Sequence, residues 1–203
     1  MTKINYLLLF ELIIANLLKY VLILIGPAGI KIGQVLSHHS DIFSEKICNI
    51  LSSLTNNVPG LSKKDEKIML ENAKKFINYE KKPIKLGAGC IAVTYMTSVN
   101  NENIVIKIKR PNIEKKIETS FYIIYNLLTI LSNLGFINLN DKLYKIKDSL
   151  IKQADFEFEL CEIEYFYNKY SNSEIFKNIK IPKPYRVFSN KNLICLEYLK
   201  GKS

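Results

Sequence analysis

The first 25 residues form an almost continuous apolar run, and the chain changes from helical to strand-like spacing near residue 80. Between Ile4 and Ile25, polar side chains occur at Asn5, Glu11, Asn16 and Lys19. As a helix, this run would be roughly 33 Å long, about the thickness of a bilayer core. Helical spacing places Asn5, Asn16 and Lys19 on one narrow stripe, with Glu11 well away from it.

Three interpretations of this run compete. A transmembrane span would place Glu11 near the bilayer centre, which is costly. A secretory signal peptide is disfavoured, because Glu11 breaks the apolar region and no small-x-small cleavage site follows it. A helix that lies in a membrane interface, or packs on the rest of the protein, fits the pattern best.

The segment between the apolar run and residue 80 has helical spacing throughout. Gly26-Pro27 ends the run, and Val58-Pro59-Gly60 predicts a turn. Ser62 is a suitable N-cap, because Asp65 and Glu66 then lie in the first turns, where the helix dipole favours acids. The predicted helices cover residues 28–39, 44–56 and 62–79.

Beyond Lys81-Lys82-Pro83, short strand-like runs flank a long helical region. The helical region covers residues 112–170 and is broken near residues 135–140. The predicted strands cover residues 84–86, 91–99, 104–108, 185–188 and 193–199. This change predicts an α+β fold with a helical N-terminal extension, residues 1–80, and a second domain, residues 81–203.

The net charge indicates which partners the chain could bind, and the cysteine spacing indicates whether it has a metal site or disulfides. The 203 residues include 29 basic and 19 acidic side chains, for a net charge of +10. This excess favours nucleotide phosphates, nucleic acid or an anionic membrane surface, although a solvated lysine-rich surface is the plain alternative. The four cysteines are too far apart for a metal knuckle or a redox pair, and His38-His39 has no second ligand cluster nearby. We therefore predict no zinc site, no disulfides and a cytosol-facing protein.

Two features suggest phosphate chemistry. Gly87-Ala88-Gly89 lies between two predicted strands, where glycine lets a phosphate approach the backbone, although a plain hairpin has the same pattern. Lys107 interrupts the apolar strand 104–108, where a lysine is disfavoured unless its charge has a partner or the strand lies at an exposed edge.

The helical region offers a partner for that lysine. Asp155, Glu159 and Glu162 share one helical stripe, and three acids on one face repel each other unless cations lie nearby. A pair between Lys107 and Glu159 would relieve the repulsion. A solvated acidic face is the alternative.

Five segments in order resemble the UbiB family of aarF-type atypical kinases. They are KIGQVLSHHSDIFSEK, LGAGCIAVTY, IVIKIKRPN, QADFEFELCE and IPKPYRVFSNKNLICLEYLKG. The resemblance covers roughly residues 20–203. It implies a protein-kinase-like N-terminal lobe, with a five-stranded antiparallel sheet plus helices, preceded by a helical extension.

The resemblance also implies roles for individual residues. Lys31, Gly33 and Gln34 would belong to the extension that covers the nucleotide pocket. Gly87, Ala88, Gly89 and Cys90 would border the phosphates, and Lys107 would hold phosphate oxygens with Glu159 as its ion-pair partner. Gln153 and Asp155 would lie in the segment contacting the extension. Leu196 would be the gatekeeper, and the backbones of Glu197 and Leu199 would face the adenine.

Several positions depart from the family pattern. Gln153 replaces the first glutamate of a Glu-x-Asp segment, so that position keeps hydrogen bonding but loses charge. Cys90 replaces a serine, Val93 a glutamine and His39 an arginine. These departures affect the expected regulation more than nucleotide binding.

The residues that would carry out phosphoryl transfer have no counterpart in the sequence. The 203 residues contain no catalytic-loop His-x-Asp…Asn segment and no Asp-Phe-Gly segment, so the expected aspartates lie beyond Ser203. The complete family uses ATP with magnesium, and its metal ligands are absent here. We therefore expect a truncated UbiB-like kinase or ATPase related to ubiquinone biosynthesis, which lacks a C-terminal lobe and alone is inactive.

The expected partners and location follow from these features. We expect nucleotide, a membrane surface or lipid contacted by residues 1–25, and a second chain that supplies the C-terminal lobe. The expected location is cytoplasmic, peripheral to or anchored in a membrane. The alternative is a non-catalytic accessory protein on a membrane or lipid. A nucleic-acid binder is disfavoured, because the lysines are dispersed and no aromatic RNA-binding signature is present.

Overall fold

A computed structural model describes residues 6–41, 43–56, 58, 61–133, 140–171, 173–176 and 178–201. Within these residues, the chain forms seven α-helices and four β-strands. The helices are α1 (Tyr6–Ile25), α2 (Pro27–Leu36), α3 (Glu45–Asn56), α4 (Lys63–Lys74), α5 (Ile113–Asn133), α6 (Asn140–Ala154) and α7 (Phe156–Tyr170). The strands are β1 (Ile84–Ala88), β2 (Ala92–Val99), β3 (Glu102–Lys109) and β4 (Leu193–Glu197). Two 3₁₀ turns cover Glu174–Phe176 and Arg186–Phe188.

The chain divides into two compact units, which do not follow the predicted boundary at residue 80. The helical unit comprises residues 1–59 and 112–151, and the sheet unit comprises residues 60–111 and 152–203. Residues 60–80 therefore group with the sheet, and α5 groups with the first three helices.

A glycine turn joins α1 to α2 in the helical unit. Gly26 has a φ of 102°, a conformation that side-chain-bearing residues rarely adopt. Directly after it, the Ala28 N–H donates to Ser120 Oγ on α5 over 3.3 Å, and Ser120 is buried. This contact satisfies one of the backbone donors that the first turn of a helix leaves unpaired. None of the described helices is both long and apolar enough to cross a membrane.

The sheet unit contains an antiparallel sheet in the order β1-β2-β3-β4. Asn100 and Asn101 have φ values of 50° and 65°, as a two-residue type I′ hairpin between β2 and β3 requires. One face of the sheet is buried against α4. The core on that face includes Met69, Ala73 and Ile77 with Val93, Tyr95, Ile104, Ile106, Ile108, Leu193 and Cys195.

The predicted α+β class is confirmed, but the predicted five-stranded sheet is wrong in its strand count. In the described residues, the segment predicted as a strand at 185–188 is a 3₁₀ turn. An isolated bridge from Pro184 to Leu196 and a hydrogen bond from the Tyr185 N–H to the Cys195 carbonyl join it to β4 without a continuous ladder. Pro182 and Pro184 explain the difference, because proline has no N–H to donate to a ladder.

The helix boundaries also differ from the predicted ones. Residues 112–170 contain a second break at Asp155, whose carboxylate accepts a hydrogen bond from the Phe158 N–H over 3.0 Å and so starts α7. Ser62 caps α4 as predicted, with Oγ 3.0 Å from the Asp65 N–H, but α4 ends at Lys74 rather than near residue 79. The predicted turn at 59–60, the break at 135–139 and the polar residue Asn5 lie outside the described residues.

Candidate functional site

Lys107 and Glu159 form a close ion pair in the sheet unit. Lys107 Nζ lies 2.6 Å from Glu159 Oε1 and 2.7 Å from Oε2, and each side chain is 30% exposed. Lys107 lies on β3, which has β2 on one side and β4 on the other, so it is not on an edge strand. Its neighbours Ile106 and Ile108 point to the buried face, which leaves Lys107 on the opposite face.

A phenylalanine ring supports this ion pair. Phe156, the first residue of α7, is 1% exposed, and Lys107 Nζ lies 5.0 Å from the centre of its ring. Lys109, two residues along β3 on the same face, has its Nζ 5.1 Å from the same ring. Ammonium groups at this distance are attracted to the ring face. Phe156 is not among the site residues predicted from the sequence. The i, i+2 spacing of two lysines on one strand was the signal for this contact.

The three acids of the predicted stripe have different surroundings. Glu159 pairs with Lys107, Asp155 caps α7, and Glu162 is exposed. Asp155 therefore stabilises the start of α7, the helix that carries Glu159, as its N-cap. Gln153 lies on the last turn of α6, where it is exposed.

The glycine-rich segment has the geometry of an open β-hairpin. Gly87 and Ala88 belong to β1, and Gly89 and Cys90 lie in the turn that follows. Neither glycine has a positive φ, and a Cβ at Gly87 would meet nothing within 4 Å. The Gly89 N–H donates to the Ala92 carbonyl over 2.9 Å. A β-bulge between residues 85 and 87 marks the strand that leads into this turn, and Cys90 is buried.

The residues expected at the adenine lie at the end of β4. Leu196 pairs with Val105 of β3, and Glu197 is the last residue of the strand. The Glu197 N–H donates to the Lys183 carbonyl over 2.8 Å, and Glu197 Oε2 accepts from the Lys183 N–H over 3.1 Å. Leu199 follows two residues after the strand and is half-buried.

The Lys31, Gly33 and Gln34 segment lies on α2 in the helical unit. Gln34 Nε2 donates to the Leu54 carbonyl on α3 over 3.1 Å. A Cβ at Gly33 would lie too close to the Leu54 Cδ1 atom, so a larger residue there would require the Leu54 side chain to move. Lys31 is half-buried. Two of the three residues therefore pack α2 on α3.

The side chains that could bind a metal ion are dispersed over the described residues. Among the described residues, no three His, Cys, Asp or Glu side chains are grouped closely enough to hold a metal ion. Cys48, Cys90 and Cys195 are buried, whereas Cys161 on α7 is exposed.

The comparison with protein families settles the membership of the chain. The model described as the ABC1 atypical kinase-like domain matches residues 53–203, more than half of the chain. The chain belongs to this family. The match includes the Lys107 strand, the Glu159 helix and β4 in the same order as the sequence analysis found them.

Curated relatives agree with this assignment. A protein of Histophilus somni named probable protein kinase UbiB is 27% identical over 192 residues, which cover 87% of this chain and 34% of the relative. A mitochondrial ABC1 family protein of Saccharomyces cerevisiae is 26% identical over 219 residues, which cover 95% of this chain and 33% of the relative. An uncharacterized protein of Mycobacterium tuberculosis is 26% identical over 187 residues, with 87% of this chain and 38% of the relative covered. The chain spans about a third of the length of these relatives.

One solved structure has a similar fold. It is a Mycobacterium tuberculosis protein in complex with erythromycin, which matches with a TM-score of 0.53 and 15% sequence identity. The match covers 95% of this chain and 50% of the solved one. At this identity, the likeness concerns the fold alone.

Proposed function

We propose that the sheet unit binds the nucleotide of an ABC1-type atypical kinase or ATPase related to ubiquinone biosynthesis. Lys107 holds phosphate oxygens, and Glu159 keeps the Lys107 ammonium in place. The observation that supports this proposal is the ion pair, in which Lys107 Nζ lies 2.6 and 2.7 Å from the two Glu159 oxygens.

The geometry of the pair leaves Lys107 able to bind an anion. An ammonium group has three N–H donors, and the two contacts to Glu159 use at most two of them. Glu159 and the Phe156 ring restrict the lysine to one position, so binding a phosphate would cost little side-chain entropy. A lysine that holds phosphates and pairs with a helix glutamate is the arrangement that protein kinases use.

The family membership supports our proposal for the rest of the nucleotide pocket. In this proposal, Gly87, Ala88, Gly89 and Cys90 border the phosphates, and the Glu197 and Leu199 backbones face the adenine beside the gatekeeper Leu196. Family members use ATP with magnesium, but the described residues offer no cluster of metal ligands, so we assign no metal ligand to them.

Residues 1–203 hold and orient nucleotide in this proposal, and they do not carry out phosphoryl transfer. The sequence contains no catalytic-loop aspartate with its asparagine and no Asp-Phe-Gly aspartate. Phosphoryl transfer needs such groups to orient the acceptor and bind magnesium. A C-terminal lobe, supplied by further sequence or by a second chain, would provide them.

Calorimetric titration of the 203-residue chain with ATP tests the nucleotide site. We expect binding that weakens at least tenfold in Lys107→Ala, because a charge-assisted contact to phosphate is worth about 1.5–3 kcal/mol. Lys109→Ala is the matched control, since Lys109 lies on the same strand and contacts the same ring. Equal losses in both variants would indicate general electrostatic attraction. Binding unchanged in Lys107→Ala would contradict the assigned role.

A second function is favoured by the exposed face of α1. Eight side chains there are large, apolar and 40–65% exposed, whereas Ala15 and Leu22 on another face are buried. Helical spacing places the eight within an arc of about 140°, away from Glu11 and Lys19. They are Leu9, Phe10, Ile13, Ile14, Leu17, Tyr20, Val21 and Leu24. A continuous exposed patch of this kind marks an interaction site.

We propose that this face of α1 lies in a membrane interface as a peripheral anchor. A single helix with one apolar face and no charge on that face matches the geometry of interfacial helices, and the net charge of +10 favours an anionic membrane. The location would then be cytoplasmic and peripheral to the membrane. Nothing in this proposal requires α1 to span the bilayer.

Flotation with vesicles of phosphatidylcholine and phosphatidylglycerol tests the anchor. We expect the Leu17→Gln/Leu24→Gln double variant to lose most vesicle binding, because each change exposes a polar amide to the acyl region. Phe76→Gln is the control, since Phe76 is 61% exposed and belongs to the sheet unit rather than to the helical unit that contains α1. Equal flotation of the double variant and the unmodified chain would contradict the proposal. A sedimentation shift without flotation would assign the face to a second copy of the chain instead.

A further inference from the structure

A second ion pair holds α7 at a point beyond Glu159. Arg186 Nε lies 2.7 Å from Glu164 Oε1, and Arg186 Nη2 lies 2.5 Å from Glu164 Oε2. Two parallel contacts between a guanidinium and a carboxylate fix orientation as well as distance. Arg186 Nη2 also lies 3.3 Å from the Cys161 sulfur, one turn earlier on α7. The guanidinium therefore contacts two successive turns of the helix.

Arg186 is itself fixed to the sheet through the 3₁₀ turn that carries it. The Tyr185 N–H donates to the Cys195 carbonyl over 2.9 Å, and the Cys195 N–H donates to Ser189 Oγ over 3.0 Å. Cys195, in the middle of β4, is fully buried. Two hydrogen bonds to Cys195 therefore hold the turn before β4. One involves Tyr185, just before Arg186, and the other involves Ser189, three residues after it.

That position lies beside Lys107. Cys195 pairs with Ile106 on β3, and Ile194 pairs with Lys107. A closed loop of contacts therefore runs from Lys107 to Glu159, along α7 to Glu164, through Arg186 to Cys195, and back to β3. Every contact in the loop lies within the sheet unit.

The second half of α7 is packed less deeply than the first half, and Ile163 and Tyr167 are only half-buried. The first half packs through Phe156 and Leu160, which are 1% and 3% exposed. None of the residues from 161 to 170 is buried. Apolar packing therefore holds the start of the helix, and α7 could pivot about Glu159 without a second attachment.

We infer that Arg186 is a positioning residue that fixes the tilt of α7 through Glu164 and so keeps Glu159 aligned with Lys107. This inference rests on the proposed nucleotide site, because its functional consequence is the alignment of the lysine that holds phosphate. Residues that act through a packed network of this kind change a distant equilibrium by about 2- to 30-fold.

Two readouts on the 203-residue chain test the inference, and only one of them needs nucleotide. Hydrogen exchange of the amides from 161 to 170 measures how firmly the second half of α7 is held. Calorimetric titration with ATP measures the consequence at Lys107. The variants are Arg186→Ala, Arg186→Lys and the charge reversal Arg186→Glu/Glu164→Arg, with Lys191→Ala as control because Lys191 lies exposed in the turn before β4.

We expect Arg186→Ala to speed exchange in residues 161–170 and to weaken ATP binding about threefold to tenfold, while the exchange of β3 stays slow. Arg186→Lys should recover part of each effect, and the charge reversal should recover more than either single reversal. Lys191→Ala should match the unmodified chain.

The outcomes separate the two proposals. Exchange of residues 161–170 unchanged in Arg186→Ala would overturn the inference, whatever the nucleotide result. Faster exchange with unchanged ATP binding would also overturn it, since the alignment of Glu159 would not depend on Arg186. If the unmodified chain does not bind ATP at all, the proposed function fails, and the exchange data alone then decide whether Arg186 holds α7.

Discussion

The coupling between Lys107 and Glu159 can be measured with a double-mutant cycle. Lys107→Met keeps the length of the side chain, and Glu159→Gln keeps its shape, so each change removes mainly charge. Both side chains are 30% exposed, so the pair is intermediate between a surface pair and a buried pair. An exposed pair contributes about 0.2–1 kcal/mol. In a buried pair, removing one partner costs about 3–5 kcal/mol. We expect each single variant to cost about 1–2 kcal/mol of unfolding free energy, with a coupling energy of about 1–2 kcal/mol.

Native-state hydrogen exchange of the β3 amides is a suitable assay, because it reports the unfolding free energy of the sheet unit separately. The pair Lys67–Glu71 on α4 is the control, since its N···O distance is 3.9 Å and its side chains are 78% and 61% exposed. Its coupling should be about 0.3–0.5 kcal/mol. A coupling for Lys107 and Glu159 below about 0.3 kcal/mol would be simple additivity and would refute the reasoning.

Three further predictions concern other residues. Ile106→Ala should cost about 2–5 kcal/mol in urea unfolding, because Ile106 is fully buried, and a similar loss in the 86%-exposed Ile175→Ala would contradict this account. Asp155→Ala should cost about 0.5–2 kcal/mol by removing the cap of α7, and unchanged stability would argue against the cap. The exposed Cys161 should react with a thiol reagent at pH 8 before the buried Cys195 does, because burial raises the pKa of Cys195 to about 12. Mass spectrometry measures the labelling of each cysteine, and faster labelling of Cys195 would contradict the fold.

The ion pair could be predicted from the sequence because each partner lies where its charge is unfavourable unless an opposite charge is near. A lysine in the middle of an apolar strand needs a partner, and a helical stripe of acids needs a cation. Sequence spacing contains both facts, so the pattern predicts a pair between Lys107 and Glu159, with a solvated acidic face as the alternative. The Ser62 cap was predictable for a similar reason, since it depends on residues within one turn.

Other features depend on contacts that spacing does not encode. The strand predicted at 185–188 had a suitable apolar pattern, but two prolines just before it remove the donors a ladder needs. Arg186 and Glu164 lie 22 residues apart, and each alone resembles an ordinary surface charge. The spacing places Asp155 on an acidic stripe, although aspartate is also a favourable N-cap residue. The prolines and the capping preference of Asp155 are local signals that the sequence does contain, whereas the pairing of Arg186 with Glu164 follows only from the folded chain.

The contact between Lys107 and nucleotide phosphate is the central feature of the proposed site. The most direct test is the rate at which an acylating reagent modifies Lys107 in the unmodified chain, with and without saturating ATP, read by mass spectrometry at each lysine. We predict that ATP slows modification of Lys107 several-fold and leaves Lys109 unchanged, while adenosine, which has no phosphate, protects neither. Equal modification of Lys107 with and without ATP, under conditions where calorimetry shows ATP bound, would contradict the account.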